Sequence, residues 1–318
     1  REAPLFDAET SVLRFEPAEG LRPGSRYDVV LSGLLGGPVR AASDSSDYRW
    51  HFETGVPQIV SLSPADDDTT VAVDDAGIAI TFDGPVDDQA LAADGSVTIT
   101  REGVALALRE APLFDAETSV LRFEPAEGLR PGSRYEVTLS GLLGGPLRAL
   151  SDSGAYRWQF HTAVPQVTSL VPAETDTTVN AGTRELVATF DGRLDDESLA
   201  EAGAVRVFAE ATEIPLATTA FDLDANTLTI VPTGGLRPGT SYRVQIAADV
   251  LGPLAAAGIS WAFSTETPQV VATDPADGTS IGAGNLRIQV QFSSAIAEEN
   301  LLPRYFSLSQ AGRPLTLA

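Results

Sequence analysis

The chain repeats itself. Residues Arg1–Tyr27 return unchanged as Arg109–Tyr135, and 1–58 aligned with 109–166 differ at only nine positions. The period is therefore 108 residues. A third, diverged copy follows: Leu129-Arg130-Pro131-Gly132 returns as Leu236-Arg237-Pro238-Gly239, and Trp158-Gln159-Phe160-His161-Thr162 as Trp261-Ala262-Phe263-Ser264-Thr265. A fourth copy begins at Pro268. A period of this length makes the chain a series of small domains, each with its own core. Complete repeats are read at 57–164 and 165–267. Segment 1–56 holds the second half of a repeat and 268–318 the first half. Aligning Gly312 with Gly103 sets Leu317 on Leu108, so the pattern at the end resumes where Arg1 begins.

Inside one repeat, apolar residues alternate in short runs broken by turn residues. Gln58–Leu62, Gly77–Phe82, Ser96–Thr100, Val104–Leu108, Val120–Phe123, Tyr135–Ser140 and Tyr156–Thr162 read as strands, with Glu102-Gly103 as a hairpin turn. About seven strands per repeat at this spacing predicts a two-sheet sandwich. One short helix is predicted at Asp87–Leu91, capped by Asp87. Leu-Arg-Pro-Gly-x-x-Tyr occurs three times, ending at Tyr27, Tyr135 and Tyr242. It reads as a tyrosine corner, whose phenol bonds a backbone group a few residues upstream.

The ordered set Val-x-Ser-x-x-Pro-Ala, Ile-Thr-Phe-Asp-x-Pro-Val-Asp, Leu-x-Phe-x-Pro, Leu-x-Pro-Gly-x-x-Tyr and Trp-x-Phe-x-Thr resembles the bacterial Ig-like repeat of S-layer proteins and large surface adhesins. The resemblance covers the whole chain. It implies an all-β fold of tandem immunoglobulin-like Greek-key sandwiches in an extended rod. It also implies an exported, surface-located spacer with no catalytic activity. The third copy is about four residues shorter between Gly252 and Trp261, a departure confined to one loop. Adjacent repeats are joined by Thr54–Gln58, Thr162–Gln166 and Thr265–Gln269, each with one Pro, which favours semi-rigid joints over floppy ones.

Composition narrows the partners. A net charge of −23 is opposite to what nucleic acid or anionic lipid attracts. There is no Cys, so disulfides and thiolate metal sites are excluded, and no Met, as expected of a segment cut from a longer reading frame. No apolar run approaches the roughly 20 residues of a membrane span, so direct membrane insertion of this segment is not expected.

Candidate chemistry is sparse. His51 and His161 sit at different positions of the same strand pattern, where a working residue would keep its place. Trp50, Trp158 and Trp261 lie in the alternating Trp-x-Phe-x-Thr strand, which points to core packing and away from a sugar-stacking platform. The acidic loops carry the one candidate site. Asp83, Asp87 and Asp88 recur as Asp191, Asp195 and Asp196, and Asp66-Asp67-Asp68 crowd another end loop. Oxygen ligands gathered in loops suit Ca²⁺, the one cofactor the sequence suggests. The fourth copy carries Ser293–Glu299 in the matching stretch and lacks the first Asp.

A half sandwich leaves its apolar face and strand edges without partners. A neighbouring copy that joins Arg1–Val56 of one unit to Pro268–Ala318 of the next would complete it. Either a continuous fibre or head-to-tail exchange of half-domains satisfies this, and both give a filament. The expected function is a structural segment of an extracellular fibre, adhesin stalk or surface layer. The alternatives are a carbohydrate- or ligand-binding module, which an exposed aromatic patch would mark, and a spacer attached to a larger secreted protein.

Overall fold

Alternating burial along the central strands of the complete repeats is what builds the fold. In the computed structural model, residues 4–32, 47–74, 77–87, 91–93, 95–140, 155–282, 287–294, 296 and 306–315 are described. Leu5–Asp7 (β1), Val12–Arg14 (β2), Arg26–Ser32 (β3) and Asp47–Glu53 (β4) precede the first complete repeat. That repeat holds Ile59–Ser63 (β5), Asp68–Val71 (β6), Ile78–Phe82 (β7), Val97–Arg101 (β8), Val104–Leu106 (β9), Leu113–Asp115 (β10), Val120–Phe123 (β11), Arg134–Ser140 (β12) and Ala155–Thr162 (β13). Its two sheets run β10-β11-β7-β5 and β6-β13-β12-β8-β9. All seven predicted strand segments are present. The two additional strands, β6 and β10, are short edges whose sequences, Asp-Thr-Thr-Val and Leu-Phe-Asp, do not alternate apolar with polar residues.

The second repeat contains Val167–Val171 (β14), Leu186–Phe190 (β15), Val205–Ala209 (β16), Thr212–Ile214 (β17), Leu216–Asp222 (β18), Thr227–Pro232 (β19), Ser241–Ile246 (β20) and Ile259–Ser264 (β21). Its sheets are β14-β15-β19-β18 and β17-β16-β20-β21. The remaining strands are Val270–Asp274 (β22), Gln289–Phe292 (β23), Leu308–Gln310 (β24) and Arg313–Leu315 (β25).

The strands close two separate cores. The inward residues of β7 (Ile78, Ile80, Phe82), β11 (Leu121, Phe123), β12 (Tyr135, Val137, Leu139) and β13 (Trp158, Phe160) form the first. Leu186, Ala188, Phe190, Leu228, Ile230, Tyr242, Val244, Trp261 and Phe263 form the second. Every other residue on these strands faces outward, as a pleat of period two requires. The chain divides into two units, 1–129 with 133–162 and 130–132 with 163–318. Glu102 and Gly103 both take positive φ, 50° and 80°, the geometry of a tight hairpin turn between β8 and β9. The helix predicted at Asp87–Leu91 falls largely on residues outside those described. Its counterpart, Asp196–Leu199 (α1), is helical and capped by the Asp195 side chain. No helix among the described residues is long and apolar enough to cross a membrane.

Among the described residues of the two half-repeats, β1-β2, β3-β4, β22-β23 and β24-β25 each pair as a two-stranded sheet.

Candidate functional site

The recurring polar chemistry gathers around the Leu-Arg-Pro-Gly turn. Its glycine sits at φ +59° in Gly24, +51° in Gly132 and +59° in Gly239, a conformation that strains any side chain. The phenol oxygen of Tyr27 accepts the Arg22 N–H at 2.6 Å, and Tyr242 accepts that of Arg237 at 2.6 Å. This is the tyrosine corner, with the phenol as acceptor. Each ring stacks on the Phe of the neighbouring strand: Tyr27 on Phe52, Tyr135 on Phe160 and Tyr242 on Phe263, at 5.5, 5.2 and 5.4 Å between centroids.

A second lock was missed in the sequence. Thr54, Thr162 and Thr265 close the Trp-x-Phe-x-Thr strand, and their hydroxyls accept the N–H of Ser25, Ser133 and Thr240 at 2.9, 2.9 and 3.0 Å. Thr54 and Thr265 in turn donate to the Arg22 and Arg237 carbonyls at 2.5 and 2.6 Å. The last strand is thereby fastened to the turn that begins the strand beside it. The fixed offset of that Thr in all three copies was the available signal.

The six candidate carboxylates divide by position. Asp83 accepts the Gln58 N–H at 2.6 Å and Asp191 accepts that of Gln166 at 2.7 Å. Each aspartate's own N–H donates back to the same glutamine's carbonyl at 3.0 Å. In the fourth copy the Ser293 hydroxyl accepts the Gln269 N–H at 2.9 Å, so one acceptor serves where the Asp is missing. This position clasps the start of each repeat to the end of its second long strand.

Asp195 is buried, caps α1 by accepting the Ser198 N–H at 2.9 Å, and lies 3.6 Å from the Arg130 guanidinium. Arg130 also bonds Glu197. Asp87 is buried likewise, 3.6 Å from Arg22. Asp196 is exposed in the first turn of α1, 3.9 Å from Arg193. Asp88 lies outside the described residues. In the other acidic loop, Asp66 and Asp67 accept the backbone and side-chain N–H of Gln159 at 3.1 and 2.9 Å, while Asp68 holds Thr70. Among the described residues no group of three or more His, Cys, Asp or Glu is placed to hold a metal ion.

His161 accepts an N–H from Arg134 at 3.3 Å and His51 is exposed. Trp158 and Trp261 are buried in the two cores, as the alternation predicts, while Trp50 is half-buried. Burial, with Asp66 nearby, pushes the Tyr156 phenol up.

The model of the bacterial Ig-like domain matches residues 53–162 and 161–265. The chain belongs to the bacterial Ig-like domain family. No protein of curated function matches it significantly. Among solved structures, the N-terminal part of the bacterial S-layer protein SbsC is similar at 14% identity, covering 66% of this chain and 44% of its own, with a TM-score of 0.25. The titin pair A168–A169 is 9% identical over 66% of this chain and 98% of its own, TM-score 0.25. The LD-transpeptidase LdtMt1 in complex with imipenem is 14% identical over 66% and 91%, TM-score 0.23. Scores this low carry no functional argument. The chain spans less than half the length of the S-layer structures it matches.

Proposed function

We propose that this chain is a non-catalytic structural segment of an extracellular bacterial fibre, adhesin stalk or surface layer, in which half-repeats are completed by neighbouring units end to end. One observation carries the reading. Each complete repeat closes its own core from its own strands, in the same pattern from copy to copy. Polar side chains that recur from copy to copy hold turns and strand ends, the work expected of a structural module. An acidic surface keeps such a polymer soluble and repels nucleic acid and anionic lipid.

The test is sedimentation and electron microscopy of the purified chain. Linear assemblies that lengthen with concentration are expected; a monodisperse 33.3 kDa species at all concentrations would overturn the reading. Calcium at Asp83, Asp87, Asp88, Asp191, Asp195 and Asp196 stays a separate proposal, open to calorimetric titration with CaCl₂. Heat that disappears in Asp195→Asn and Asp191→Asn supports it, and no heat removes it.

A further inference from the structure

The two complete repeats share a core pattern but carry different outer faces. On sheet β17-β16-β20-β21, two outward rows of side chains cross the strands: Glu213, Phe208, Arg243 and Ala262 in one, Arg206, Gln245 and Ser260 in the other. The matching rows of the first complete repeat hold Thr100, Glu136 and Gln159, and Thr98, Thr138 and Arg157. There Arg157 lies 3.5 Å from Glu136, so its charge is answered within the face. In the second repeat the two rows bring two arginines to one glutamate.

Both guanidiniums are held in place before any ligand arrives. The Cζ atoms of Arg206 and Arg243 each lie 4.9 Å from the centre of the Phe208 ring. Phe208 is only 9% exposed and stands apart from the core, so the ring is a floor under the two cations and is not open to stack a ligand. Arg206 bonds Glu213 through Nε at 3.1 Å and through Nη2, which leaves its Nη1 donors free. Arg243 forms no ion pair among the described residues. Beside them opens a cleft of about 350 Å³, lined by Gly203, Arg206, Gln245, Gly258 and Ser260 among others. Its volume is that of a small ligand site.

We infer that this face of the second repeat binds a carboxylate-bearing saccharide, a uronate. A planar guanidinium presents N–H groups in pairs that match the two oxygens of a carboxylate. The Gln245 amide, the Ser260 hydroxyl and the glycine backbone supply neutral donors and acceptors for the hydroxyls that flank a carboxylate on a sugar ring. An acidic protein would instead anchor on exposed apolar side chains. Those of this repeat, Val171 and Leu223, lie on β14 and at the end of β18, in the other sheet. Charge farther away than about 8 Å is screened at physiological salt, so a net charge of −23 does not forbid an anion here. The site lies wholly within one complete repeat and is independent of how repeats join.

The test is calorimetric titration of the chain with a galacturonic acid oligomer, in EDTA so that no cation bridges the two. Binding is expected, and the methyl-esterified oligomer, which keeps the hydroxyls and loses the charge, should not bind. Arg243→Gln should weaken the affinity about tenfold or more, as loss of charge-assisted hydrogen bonds does. Arg243→Lys keeps the charge without the fork and should restore only part of it. Arg157→Gln, in the first repeat, should leave the affinity unchanged. No heat up to millimolar oligomer, or an affinity that Arg243→Gln does not alter, overturns the site. Equal binding of an oligoglutamate of the same length overturns the saccharide assignment.

Discussion

Residues 1–27 and 109–135 are the same peptide in two settings, and the structure separates what the peptide does alone from what its surroundings impose. Their local geometry coincides. β1 pairs with β2 in the register in which β10 pairs with β11, Leu5 opposite Arg14 and Leu113 opposite Arg122. Ser11 and Ser119 take left-handed φ of 58° and 54°. Asp7 accepts from Glu9 and Thr10 as Asp115 does from Glu117 and Thr118. The burial differs at the core positions: Leu121, Phe123 and Tyr135 are buried, and their twins Leu13, Phe15 and Tyr27 are exposed or half-buried, while Leu5 and Leu113 are exposed in both settings. Turns and hairpins follow from the peptide, whereas the core requires the opposite half of the sandwich.

The sharpest break in this comparison is the Phe pair. Phe123→Ala should cost about 3–5 kcal/mol, as expected for a buried aromatic, measured by denaturant unfolding. Phe15→Ala should cost a small fraction of that in dilute monomer and approach the Phe123→Ala value in assembled material. Equal costs in the monomer would show that 1–27 is already covered.

The turn lock comes next. Thr162→Val leaves the Ser133 N–H without its acceptor inside a buried turn, a loss of about 1–3 kcal/mol. Thr54→Val at the part-buried twin should lose less, because water can replace the hydroxyl. A smaller effect is expected at Trp158, whose indole N–H is buried without a partner. Trp158→Phe removes an unpaired donor while leaving a modest gap, for a net change of about 1 kcal/mol. Thermal melts of the three variants decide.

The smallest effect tests the local half of the comparison. Hydrogen bonds from the Thr10 and Thr118 side chains, then from backbone N–H groups, hold the Asp7 and Asp115 carboxyls below their ordinary value of 3.8. A depressed folded pKa adds stability above the unfolded value and loses it as pH falls through the folded one. NMR titration should show both aspartates protonating below the ordinary Asp range with overlapping curves. Divergent curves would mean that the turn senses its tertiary setting.

Much of this was legible before any fold was known. Period-two runs marked seven of the nine strands of the first complete repeat, the triplicate Leu-Arg-Pro-Gly-x-x-Tyr marked the corner, and Glu102-Gly103 marked its hairpin. Strands β6 and β10 escaped because their sequences, Asp-Thr-Thr-Val and Leu-Phe-Asp, do not alternate apolar with polar residues. The threonine lock escaped because a hydroxyl in an apolar strand has no local partner; its acceptor and donor lie some 25 to 32 residues away. Likewise Asp83 and Asp191 drew notice as loop carboxylates, yet the Gln58 and Gln166 amides that they hold are 25 residues distant.

The sequence by itself determined the repeat, the strand and turn pattern and the faces destined to be apolar, because these depend on neighbours within a few residues along the chain. Tertiary structure decided which identical residues are buried, which hydroxyls and carboxylates lock a turn and which strand lies beside which. Those outcomes depend on desolvation by segments far away in the chain, and no window of sequence contains both partners.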